Sequence, residues 1–63
     1  MNKLKKVRLM YGLSQKELAE RSGVSLRLIQ AYEQNYKDIN KASVMNVLKL
    51  AAALDCDVKK ILG

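Results

Sequence analysis

The sequence predicts an all-α fold, a compact bundle of five helices forming one domain over residues 1–63. Three observations carry that expectation. Proline is absent and glycine stands only at positions 12, 23 and 63, so breakers are scarce, which suits helices joined by very short turns. Apolar residues make up 49% of the chain and recur at helical spacing. A chain of 63 residues has room for a small core only, since it buries about 60% of the surface its unfolded form exposes.

The first helix is expected from about Asn2 to Tyr11, where Leu4, Val7 and Tyr11 make an apolar stripe and Lys3, Lys5, Lys6 and Arg8 occupy most of the remaining surface. Gly12 stops it, because glycine enters the left-handed conformation of a helix end without penalty. Ser14-Gln15-Lys16-Glu17 then reads as a capping box: the Ser14 hydroxyl accepts from the backbone at 17 and Glu17 reaches back to 14. In this second helix Leu18, Ala19 and Ser22 face inward, Lys16, Glu20 and Arg21 face water, and Gly23 ends it. Only Val24 intervenes before Ser25, which caps a third helix reaching Glu33 or Gln34. Ile29 faces the core there, with Val24 and Tyr32 beside it, while Arg27, Gln30, Ala31 and Gln34 lie on the opposite face. Asn35 is a left-handed cap and residues 36–39 form a loop. Asn40 is expected to cap a fourth helix whose inward stripe is Val44, Val47, Leu48, Ala51 and Leu54. Asp55 and Cys56 make a break, and Asp57 caps a fifth, short helix from Val58 to Leu62. Leu50, Met45, Ile61 and Leu62 do not all fit the inward stripes; some apolar exposure is normal in a small monomer.

A short capped helix, a glycine turn and a second short helix with an uncharged-polar outer face constitute a helix-turn-helix. Ala19 is small where the third helix crosses, Gly23 accepts positive φ, and Ile29 locks the crossing from the other side. Such a crossing holds the outer face of the third helix proud, where it can enter a major groove about 12 Å wide.

The run Gly12-Leu13-Ser14-Gln15-Lys16-Glu17-Leu18-Ala19-Glu20, then Ser22-Gly23-Val24-Ser25, Ile29 and Tyr32-Glu33, resembles the lambda-repressor-like, Cro/XRE-type helix-turn-helix domain. The resemblance extends from about Leu4 to Leu62, with Leu48-Lys49-Leu50-Ala51 and Ala53-Leu54 similar to that family's fourth helix. It implies sequence-specific binding of double-stranded DNA by a transcriptional regulator, a repressor acting as a homodimer at least on DNA, with such apolar residues as Leu50, Met45, Ile61 and Leu62 serving self-association. It further implies that Ser25, Leu26, Arg27 and Ala31 read base edges, with Gln30 on the same face. Gln15 would meet a phosphate, which the helix N-terminus favours independently. Lys16 and Gln34 join it as backbone contacts, and Lys37 and Lys41 fall where the family's loop and fourth helix follow the backbone. Arg8 and Glu33 match a pair that forms a buried ion pair between the first and third helices. Residues 26, 28 and 31 depart from the family's more polar pattern, so direct readout is thin and DNA shape carries part of the specificity.

Twelve Lys and Arg against six Asp and Glu give a net charge of +6, for which a polyanionic partner is the economical reading. An enzyme is not expected: histidine is absent, and Glu17, Glu20, Glu33, Asp38, Asp55 and Asp57 already serve as caps, pairs or surface charges. With Cys56 alone and no His, neither a metal site nor an intramolecular disulfide is expected, and a reducing compartment fits. Neither a cofactor nor a small-molecule ligand is expected within this chain. No apolar stretch approaches 20 residues, so the expectation is a cytoplasmic, bacterial or phage-like protein without membrane association. The competing reading is a protein-interaction module on the same scaffold, with an antirepressor, toxin or polymerase subunit as its partner.

Overall fold

A computed structural model describes residues 2–63 as four α-helices and two 3-10 turns. The order is α1 (Lys3–Met10), α2 (Gln15–Ser22), α3 (Leu26–Glu33), a 3-10 turn at Ile39–Lys41, α4 (Val44–Ala53) and a 3-10 turn at Val58–Lys60. Among the described residues there is no strand. Each α-helix begins with a side-chain cap that satisfies an orphan backbone N–H: Asn2 accepts from Lys5, Ser14 from Glu17, Ser25 from Leu28 and Ser43 from Asn46. Left-handed residues reverse the chain between them. Gly12 has φ +69° and Gly23 +75°, and the short polar side chains of Asn35 and Asp55 tolerate φ of 62° and 48°.

α2 packs against both α3 and α4, and α1 against α3 and the last 3-10 turn. Leu4, Leu18, Ile29, Leu50, Leu54 and Ile61 are fully buried in one cluster where these elements meet, with Ala19 packed against its edge. The molecule measures about 24 × 22 × 22 Å, so every core residue lies close to the surface that it supports.

Several expectations give way. The fifth helix from Val58 to Leu62 is a three-residue 3-10 turn, capped by Asp57 as expected, and the bundle has four α-helices. Ser43, not Asn40, caps α4. Asn40 lies inside the preceding turn, where Asp38 accepts from its backbone N–H, and its amide clasps the chain end, donating to the Gly63 carbonyl and accepting from the Gly63 N–H, both at 3.0 Å. The inward stripe of α4 is Val47, Leu50, Ala51 and Leu54, whereas Val44 and Leu48 are 74% and 49% exposed. Leu50 and Ile61 are therefore core residues and not available for self-association. Tyr11 caps the end of α1 and faces solvent instead of completing its stripe.

Candidate nucleic-acid interface

The polar heart of the fold is an ion pair between α1 and α3. Arg8 donates through Nε to Glu33 Oε2 at 2.7 Å and through Nη2 to Oε1 at 2.9 Å, while Nη1 donates to the Leu13 carbonyl at 2.7 Å. Both side chains are nearly inaccessible, at 8% and 2% exposure. The bidentate hydrogen bond to Glu33 raises the Arg8 pKa further above its ordinary value, so the guanidinium stays charged. Gln15 adds a third element. Its Nε2 donates to Glu33 Oε1 at 3.0 Å, which ties the start of α2 to the end of α3. This half-buried glutamine thus combines a structural bond with a position at a helix N-terminus.

That N-terminus is the capping box read from the sequence. Ser14 Oγ accepts from Glu17 N at 3.0 Å, and Glu17 Oε1 accepts from Ser14 N at 2.9 Å. The bonds from the Ser14 backbone and hydroxyl hold the Glu17 carboxyl below the usual carboxylate range. The backbone N–H groups of Gln15 and Lys16 have no intrahelical acceptor and are free to meet an anion.

α3 divides by burial as the helical period requires. Ile29, Tyr32 and Glu33 are buried, whereas Leu26, Arg27, Gln30 and Gln34 are exposed and Ala31 is half-buried. Arg27, Gln30, Ala31 and Gln34, at i, i+3, i+4 and i+7, share one face. Among the described residues Arg27 has no salt-bridge partner. Ser25 Oγ accepts from Leu28 N at 3.1 Å as the cap, which leaves its hydroxyl hydrogen free to donate outward.

Beyond α3 the chain turns so that Lys37 and Lys41 line one shallow groove with Leu28, Ser43 and Asn46. Leu28 packs partly against the core and is, with Tyr32, the contribution of α3 to the lining of this groove. Ser43 and Asn46 were missed in the sequence because Asn40 took the capping role there. The signal available was a second good N-cap, Ser43, directly before Val44-Met45. Among the described residues no group of three or more His, Cys, Asp or Glu side chains could hold a metal ion. No helix of the described residues is long and apolar enough to cross a membrane.

Two short helices joined through Gly23, with a polar face of the second held outward by a buried first face, define a DNA-binding helix-turn-helix of the kind that transcription regulators carry. The family model described as helix-turn-helix matches residues 4–61, and the chain belongs to that family, of the Cro/C1 type. No curated protein and no solved structure matched the chain.

Proposed function

We infer that the chain binds double-stranded DNA in a sequence-specific way and represses transcription by occupying an operator. The single observation that carries this reading is the outer face of α3, where Arg27 and Gln30 stand exposed on a helix whose other face is buried. In a major groove Arg27 grips guanine O6 and N7 bidentately and Gln30 pairs with adenine, while Leu26 and Ala31 meet thymine methyl groups. Ser25 caps the helix and donates its remaining hydrogen to a base edge or phosphate. Gln15, Lys16, Gln34, Lys37 and Lys41 hold the phosphate backbone and fix the register without reading sequence. Gln15 arrives oriented by Glu33, so little side-chain freedom is lost on contact.

Operator binding uses two copies of the domain. The exposed Val44, Met45 and Leu48 on α4 support that reading, because α4 carries only Lys49 as a charged residue and like-charged copies of a +6 chain meet best on a weakly charged face. A two-fold dimer sets its recognition helices one DNA turn, about 34 Å, apart. The lone thiol of Cys56 suits the reducing cytoplasm of a bacterium, or of one that a phage has infected.

Selection from a random DNA library, with the enriched duplex titrated against scrambled DNA at two salt concentrations, tests this function. The expected result is a two-fold symmetric motif bound at least about a thousandfold tighter than scrambled DNA. Salt-sensitive binding blind to sequence would overturn it.

A further inference from the structure

Three large apolar side chains stand exposed in a row at the end of α1: Leu9, Met10 and Tyr11. Met10 and Tyr11, with Val7, floor a groove of about 730 Å³ that runs between α1 and the Val58–Lys60 turn. Four lysines rim it, Lys3 and Lys6 from α1 and Lys59 and Lys60 from the turn. The one acid on the rim, Asp57, already accepts from the Lys59 backbone N–H at 3.2 Å. None of these residues belongs to the base-reading or phosphate-holding set. Arg8, which points to Glu33 and α3, follows Val7 by one residue and so lies about 100° around α1 from it.

We propose that this groove docks a short acidic segment of a partner protein, anchored by one or two bulky apolar side chains and flanked by Asp or Glu. The lysine rim supplies charge complementarity, and the lysine stems extend the apolar floor toward solvent. A helix with anchors at i and i+4 or i+3 fits a groove of this kind. Nucleic acid is a poorer occupant, because a phosphate backbone would use the lysines and leave Met10 and Tyr11 idle. A second copy is poorer still. The densest acids in this chain are Glu17 with Glu20 and Asp55 with Asp57; Glu17 is engaged by its own cap, Ser14, and Asp57 already lines the groove. The weakly charged patch on α4 and the lysine-rimmed groove on α1 therefore suit different partners, one a like copy and one an acidic chain.

The test is selection of random peptides displayed on phage against the full chain, followed by synthesis of the enriched peptides and titration by fluorescence anisotropy. Enriched peptides should combine apolar anchors with acidic flanks, and their binding should move the backbone amide resonances of Met10, Tyr11 and Lys59. The Lys6→Glu/Lys59→Glu variant should weaken the peptides by at least about tenfold. Met10→Ser, a change at a side chain 75% exposed, should weaken them without affecting the thermal midpoint. Enrichment of neutral or basic peptides, or resonance shifts confined to α3 or α4, overturns the proposal. Adding the selected operator separates the two readings. Peptide affinity unchanged on DNA sustains a separate site, whereas competition by DNA overturns it. A chain that binds acidic peptides here but no specific DNA leaves the groove standing and removes the operator-binding function.

Discussion

Replacing Arg8 by Met keeps an unbranched side chain against the core but removes the charge that Glu33 faces. The Glu33 carboxyl, 2% exposed, is then left with Gln15 Nε2 as its only hydrogen-bond donor among the described residues. The Leu13 carbonyl loses its partner as well. Removing one member of a buried pair costs about 3–5 kcal/mol, because an uncompensated charge stays behind. A 63-residue domain has a total stability of about 3–9 kcal/mol, so the variant should lie near the edge of folding at neutral pH. At about 4–8 °C per kcal/mol for a domain of this size, the midpoint should fall by at least about 12 °C.

A second variant distinguishes a stranded charge from lost packing. Arg8→Met combined with Glu33→Gln loses the same arginine contacts but leaves no unpaired carboxylate in the interior, so it should recover part of the stability that Arg8→Met alone loses. Urea unfolding followed by circular dichroism at neutral pH is the assay. A loss below about 1 kcal/mol for Arg8→Met, or one of equal size in both variants, would refute the reasoning, since the 2.7–3.0 Å network would then carry no net charge stabilisation.

On the operator, Arg27→Ala should cost about 1–3 kcal/mol and relax preference at one base pair, whereas Lys37→Ala should weaken specific and random DNA alike. Equal losses on both DNAs for Arg27→Ala would show its role misassigned. Gly23→Ala has open space for the added methyl but must hold φ near +75°, so it should cost about 1–2 kcal/mol in thermal unfolding with no change in the fold. A neutral result would mean that the turn relaxes to negative φ. Burial, with Asp57 and Asp55 nearby, pushes the Cys56 thiol above its ordinary value. Its alkylation by iodoacetamide should accordingly lag that of a small free thiol between about pH 7 and pH 9, and a faster rate would contradict that environment.

The first three helices were legible because their signals are local. Ser14 and Ser25 cap their helices, and Gly12, Gly23 and Asn35 take the left-handed backbone, as one-residue chemistry dictates. The fourth helix was misread because its signals are degenerate. Asn40 and Ser43 are both good caps, and the choice is made at long range by Gly63, which engages the Asn40 amide. Its two candidate stripes share Val47, Ala51 and Leu54 and differ only in whether Leu50, or Val44 with Leu48, completes them. At 100° per residue Leu50 and Val44 lie equally far, about 60°, on either side of Val47, so the period alone cannot select between them. The neighbouring helices do. At the interface, the helical period showed which face of α3 points outward, but not that Gln15 would bond to Glu33, nor that Leu28 would line one groove with Lys37 and Lys41.

The Arg8–Glu33–Gln15 network invites a separation of stability from aim. Apolar contacts around Leu18 and Ile29 are non-directional and hold α2 against α3 over a range of crossing angles. The hydrogen bonds from Arg8 and Gln15 to the two oxygens of one carboxylate allow far less play between the three helices. Replacing the pair by apolar residues of similar volume, as in Arg8→Met with Glu33→Leu, should thus recover most of the stability that Arg8→Met alone loses. It should not recover full discrimination between operator and scrambled DNA, because Gln15 loses its orienting partner and the N-terminus of α2 is free to shift against α3. The expected signature is a thermal midpoint near that of the parent, with the specific-to-random affinity ratio reduced by about tenfold, one base contact's worth. If the double variant matches the parent in both, the apolar core alone sets the aim of the recognition helix, and the ion pair serves only to satisfy the two charges that it contains.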